Sequence, residues 1–175
     1  MANKDFTAGA RPFDMGSGSR ARMMPYKVAA STTIYANAPL ITVADGTVAM
    51  TASVNNVVNW IGFAVHPIVS SSAIQTVMVY DDPFQKFIIQ SDAALAATDV
   101  HLNADFINPN TEFSSTRYSN CELDGSTAVA TFDNSEPLHI LGKVERSDNT
   151  WLIHVDVIVQ WNLGVHANGP VGVGI

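Results

Sequence analysis

Five histidines, one cysteine and one adjacent pair of aspartates have the widest chemical reach in this chain, and their spacing gives them no shared reaction. Two imidazoles on one metal face need an i, i+2 spacing on a strand or an i, i+4 spacing on a helix. The histidines at 66, 101, 139, 154 and 166 fit neither. His139 and His154 fall on the polar sides of two neighbouring strands, where register alone makes them neighbours, and they read as half-buried histidines. Cys121 stands alone, so it supports neither an internal disulfide nor a cysteine-based zinc cage. No Gly-X-Ser-X-Gly elbow accompanies it, and it reads as a small apolar residue. Asp81 and Asp82 are consecutive, so on a strand they point to opposite faces and share no proton. The stretch GSGSRA at 16–21 lacks the strand before and the helix after that make a phosphate loop. Asp99, Asn103 and Asp105 lack the glycine and distal glutamate of a helix-loop-helix calcium site. The sequence therefore leads us to expect no catalytic residue, no metal site and no cofactor.

The elements that position these residues follow a period of two. Residues 151–161 alternate, with Trp151, Ile153, Val155, Val157, Val159 and Trp161 on one face and Leu152, His154, Asp156, Ile158 and Gln160 on the other. This predicts a half-buried strand. LHILGKV at 138–144 pairs with it as a hairpin through the ERSDN turn. QTVMVYD at 75–81 and QKFIIQ at 85–90 form a second hairpin through Asp82-Pro83-Phe84. PLITVA and GTVAMTA flank Asp45-Gly46, a strong hairpin signal. VNWIGFAVH at 58–66 is apolar on both faces and predicts a central strand, with Gly62 marking a bulge or a close approach. STAVATF at 126–132 predicts a strand after an Asp124-Gly125 turn. Helix is confined to at most two turns at 91–97, and residues 99–125 read as an irregular excursion with one short strand. The class is all-β, a β-barrel or β-sandwich with an extended N-terminal arm and little helix.

Composition bounds the rest. The chain has 175 residues, 47% apolar and 14% charged, against about 25% charged in soluble proteins generally. A surface built from Ser, Thr, Asn and Ala is suited to lie against a neighbour. There is no apolar run of membrane-spanning length and no secretory leader pattern, so neither a membrane nor a secreted setting is expected. Residues 1–27 carry five basic and two acidic side chains, a net charge of +3, whereas the remainder carries four basic and fourteen acidic, a net charge of −10. A basic arm thus precedes an acidic body at 28–162. The arm has Gly, Ser and Pro breaks and no apolar period, so it should be extended and poorly ordered until bound. It reads either as a frayed terminus or as a segment with Phe13, Met23, Met24 and Tyr26 as apolar anchors and its arginines steering it toward an acidic protein surface. Nucleic acid is disfavoured by the acidic body. The glycine-rich tail at 163–175 reads either as flexible or as a segment that docks on a neighbouring copy through Val171, Val173 and Ile175.

The opening MANKDFTAGARPF, with Gly9-Ala10-Arg11-Pro12-Phe13, is followed in order by DGTVAM, NWIGFAVHPIVSSS, VMVYDDPFQKFIIQSD, DVHLNADF, CELDGSTA, LHILGKVERSDN and HVDVIVQWN. This series resembles the head decoration, or cement, proteins of tailed bacteriophages over residues 1–162. It departs from the family pattern at Asp14 and in the tail after Asn162. The resemblance implies a non-enzymatic virion protein, made in the host bacterial cytoplasm and added to the outside of the expanded head, where it clamps adjacent major capsid protein subunits. It implies a homo-oligomer, a trimer in preference to a dimer, with neither nucleic acid nor membrane as partner. Arg11, Pro12, Phe13, Arg20, Arg22 and Tyr26 would then contact the capsid, and removal of 1–27 should leave a folded body. A carbohydrate-binding β-module using exposed indoles, and a cupin-like metal enzyme, are the rival readings.

Overall fold

The structure, a computed structural model, describes residues 3–13, 21–51, 59–129 and 136–162. These fold into two packed β layers. Strands β2 (Met23–Val28), β3 (Pro39–Thr42), β4 (Val48–Met50), β5 (Trp60–Ala64) and β6 (Gln75–Tyr80) close a barrel in the order β2-β4-β3-β5-β6. Strands β1 (Arg11–Pro12), β7 (Lys86–Gln90), β8 (Asn103–Ile107), β9 (Glu122–Val129), β10 (Leu138–Lys143) and β11 (Asp156–Trp161) form a sheet ordered β1-β7-β11-β10-β8-β9. The all-β expectation is met, and where at most two helical turns were expected over 91–97 there is a 3-10 turn at Ala97–Asp99.

Strand β5 joins the two layers. It is buried along its whole length, as its two-sided apolar pattern requires. Opposite β3 its register steps from Leu40↔Gly62 to Ile41↔Trp60, which leaves Ile61 as the extra residue of a bulge. A bulge reverses the alternation of side chains, so Trp60 and Phe63 enter the core of the sheet while Ile61 and Ala64 enter the barrel. Trp60 and Phe63 meet Phe87, Phe106 and Trp161 there, with Phe63 and Trp161 stacked at 4.8 Å and Phe63 edge-on to Phe87 at 4.6 Å. Gly62 has φ +153, and a Cβ built on it would stand 2.1 Å from the Tyr80 carbonyl oxygen. The close approach signalled by this glycine is therefore to β6.

The Asp45-Gly46 hairpin forms as expected, with β3 and β4 paired from Leu40↔Met50 to Thr42↔Val48 and Gly46 at φ +79. The pairing expected between 75–81 and 85–90 is corrected. Strands β6 and β7 make no hairpin: β6 pairs with β2 and β5, and β7 with β1 and β11, so Asp82-Pro83-Phe84 carries the chain from the barrel to the sheet. A turn residue pattern specifies a change of direction but not which edge receives the next strand. Strand β11 does pair with β10, from Leu138↔Trp161 to Lys143↔Val157, but it begins at Asp156 rather than Trp151. The Asn149 side chain donates to the Val144 and Asp156 carbonyls and accepts from the Asp156 N–H, which holds 150–154 in a loop. Asp124 and Gly125 lie inside β9, not at a turn before it. Residues 130–132 of the expected strand are outside the described residues.

Gly62→Ala should lower unfolding stability by about 3 kcal/mol, because the new methyl collides with backbone that cannot rotate away. Urea denaturation should show a lower midpoint at an unchanged slope.

Candidate functional site

The N-terminal segment expected to hang free is docked on the body. Arg11 and Pro12 pair with Ile88 and Phe87 of β7, and the Phe13 N–H donates to the Lys86 carbonyl at 2.8 Å. Residues before β1 lie outside the sheet ladder, so side-chain amides of the body take up their backbone groups. Gln90 is the principal one. Its Oε1 accepts from the Phe6 N–H at 2.8 Å, and its Nε2 donates to the Lys4 and His154 carbonyls at 3.0 and 3.1 Å. Asn37 Nδ2 donates to the Ala8 carbonyl, Thr7 Oγ1 to Asn120 Oδ1, and Asn3 Nδ2 to the Thr150 and Ile153 carbonyls. Met23–Val28, the far end of the expected arm, is a barrel strand paired with β6 over its full length. The boundary drawn at residue 27 therefore cuts through β2, and deletion of 1–27 would remove two strands instead of leaving a folded body. The sequence showed the absence of an apolar period but not the amides waiting on Gln90, Asn37 and Asn120.

The arginines of this segment meet buried carboxylates of the same chain. Arg11 lies 3.7 Å and Arg146 2.9 Å from Asp156 Oδ2, and Asp156 is 4% exposed. These residues, with Lys4, Gln90, Asn149 and His154, line a cleft of about 390 Å³ between the N-terminal segment and the β10–β11 loop. Arg22 lies 3.1 Å from Asp81 Oδ2, which also accepts the Tyr26 hydroxyl at 2.9 Å. Burial first, then the hydrogen bond and negative charge of Asp81, push the Tyr26 phenol up to about 12. The charge asymmetry read as steering toward a partner is thus partly closed within the molecule.

Around Asp81 the structure gathers several residues singled out by type. Arg22 and Tyr26 bond Asp81, Met23 pairs with Tyr80, and Gln85 Nε2 donates to the Phe13 carbonyl. The Asp82 carboxylate accepts the Phe84 N–H, which turns the chain so that Phe84 is 79% exposed. Met23 and Met24 on the adjacent strand are also exposed. Phe13, Arg22 and Tyr26 therefore converge on the barrel-to-sheet crossing, and Phe84 joins them although the sequence reading treated it only as a turn residue. An aromatic residue directly after a turn proline was the available signal. Arg20, Val171, Val173 and Ile175 lie outside the described residues.

The histidines are placed differently from the strand pattern. His139 stacks on His101, with ring centroids 5.9 Å apart, and its Nδ1 shares a hydrogen bond with Asn103 Oδ1 at 2.9 Å. Burial and then the neighbouring His101 lower the His139 pKa. His154 is not beside His139: it sits in the loop before β11 with φ +60. There one of its ring nitrogens lies with a carboxylate oxygen of Asp5 and one of Glu122, all within 4.8 Å of one another. Burial, then the charges of Asp5 and Asp92, push Glu122 up to about 7. Cys121 is buried, and burial raises its thiol well above the ordinary range, which agrees with an inert apolar role.

Gln90→Leu should loosen residues 4–6 while leaving the body folded. Losing these bonds costs about 2 kcal/mol locally, or roughly 30-fold faster trypsin cleavage after Lys4. Asp81→Asn should bring the Tyr26 phenol down from about 12 yet leave it above the ordinary tyrosine value near 10, since burial remains. Phenolate absorbance during alkaline titration reads this directly. In the parent protein the raised pKa stabilises fully below about pH 10, and this contribution is lost as pH rises through about 12. In comparisons with known proteins, the chain matches no family model, no curated protein and no solved structure.

Proposed function

We propose that this protein is a structural component of a tailed-bacteriophage virion, one that binds the outer surface of the expanded head and cements adjacent major capsid protein subunits. The observation that carries the proposal is the ordered series of motifs, from Gly9-Ala10-Arg11-Pro12-Phe13 to the His154–Asn162 run, that resembles the head decoration proteins. The fold supports it with a surface suited to the task. Phe84 is exposed in the crossing turn, and Met23, paired with Tyr80, is exposed beside Arg22, whose guanidinium is held by Asp81 with about half of the side chain open to solvent. Exposed aromatic and methionine side chains with one ordered arginine are the composition of an interface centre.

The mechanism follows from multivalency. A pressurised shell is held by many modest subunit contacts, and a clamp that bridges several subunits multiplies its own modest contacts into stable attachment. A homo-oligomer, trimer or dimer, would present one such surface per copy to a symmetric lattice. The acidic body would keep free copies apart before assembly. The carbohydrate-binding alternative loses its indoles: Trp60 is fully buried, and Trp151 and Trp161 pack on the core.

Co-sedimentation with expanded heads that lack the protein tests this reading. Saturable binding at a copy number fixed by icosahedral symmetry is expected, with Phe84→Ser combined with Met23→Ser weakening it at least about tenfold and leaving the far-ultraviolet dichroism unchanged. Absence of binding by the parent protein to matched heads would overturn it.

A further inference from the structure

Asp5, Glu122 and His154 come from three separate parts of the chain: the N-terminal segment, the start of β9 and the loop before β11. Each is ordinary alone. Together they bring two carboxylate oxygens and an imidazole nitrogen within 4.8 Å of one another. Ligands about 2.1 Å from a shared ion stand about 3.4 Å apart in tetrahedral geometry. Each pair therefore needs to close by no more than roughly 1.4 Å from the 4.8 Å limit to complete such a set, and the Asp5 side chain, being exposed, is free to move.

A second observation points to a ligand. Glu122 is 8% exposed, and its Oε1 meets no hydrogen-bond partner among the described residues; nor does the buried Nδ1 of His154. A buried carboxylate oxygen without a donor is costly, and this one belongs to a side chain directed at another carboxylate and an imidazole. Asp92 adds further negative charge, although its Oδ1 is engaged by the Gly125 N–H at 3.0 Å. A cation between the three groups would give the Glu122 and His154 side chains, each of which carries an orphaned buried atom, a partner, and would remove the repulsion between Asp5 and Glu122.

The surroundings also fix the ligands as an outer shell should. Gln90 bonds the backbone on both sides of Asp5, at Lys4 and Phe6, and the carbonyl of His154. One buried amide thus sets the spacing of two of the three ligand-bearing segments. Gln90 is a positioning residue of the kind that supports metal ligands elsewhere.

We propose that Asp5, Glu122 and His154 bind one divalent transition-metal ion, Zn2+ by the chemistry of the set, and that the ion staples the N-terminal segment to the body. Two oxygens and one imidazole nitrogen suit Zn2+, with water as the fourth ligand, better than the all-oxygen preference of Mg2+ and Ca2+. The role is structural. The staple stands apart from the Phe84 surface, so it holds whether or not the protein decorates phage heads.

The full-length protein, stripped with a chelator and dialysed, is titrated with ZnCl2 by calorimetry, with MgCl2 and CaCl2 as parallel arms. One Zn2+ per chain is expected, together with a rise in melting temperature that grows with free Zn2+. Asp5→Asn alters an exposed side chain and should keep the fold while weakening Zn2+ at least about tenfold, as should Glu122→Gln. His154→Asn should do the same, since Asn tolerates the positive φ of this position. Lack of saturable Zn2+ uptake, uptake unchanged in Asp5→Asn and His154→Asn, or equal uptake of Mg2+ or Ca2+ would each overturn the proposal.

Discussion

The aromatic contact between β5 and the six-stranded sheet is the interaction on which the other features depend. Trp60 and Phe63 leave the barrel strand on the side opposite Ile61 and Ala64 and embed among Phe87, Phe106 and Trp161. Ring pairs at 4.6 to 6.2 Å add orientation to area burial. Without the bulge at Ile61 one of these rings would turn into the barrel and the layers would lose their common core. Gly62 allows the bulge because only a residue without a side chain can lie against the Tyr80 carbonyl.

With barrel and sheet fixed together, the chain N-terminal to β2 has a prepared track. It runs past Asn37 of the barrel layer and Gln90 of the sheet, and adds a two-residue strand to the edge of β7. Much of its attachment is polar: carbonyls and N–H groups bonded by buried amides, followed by Arg11 over Asp156, with Ala10 buried in the core between them. Such bonds are individually modest. Their number and burial make the segment part of the fold, and they place Asp5 and Phe13 at defined positions.

Two buried carboxylates organise the charges. Asp81 and Asp156 are 2% and 4% exposed, and each draws at least one arginine across the molecule. A buried carboxylate needs such partners, so part of the basic character of the N-terminal region serves the acidic body of the same chain. What remains outward at the crossing includes apolar side chains, Phe84 and Met23.

Alternation and turn residues determined the all-β class, the Asp45-Gly46 hairpin, the pairing of β10 with β11 and the central character of β5, because these depend on local periodicity and on one glycine's steric freedom. The same local signals left open which strand lies beside which. Whether β7 follows β6 in a hairpin or crosses to another layer depends on which apolar faces fit together, and that is a property of the whole core. Asp5 stands more than a hundred residues before Glu122, Glu122 stands 32 before His154, and loops without a period lie between them. Only a fold that lays the N-terminal segment against β9 and bends the chain at His154 brings their polar atoms into reach of one another. Composition recorded that the arginines and acidic residues were unequally distributed, and tertiary packing decided which of them would be buried as partners.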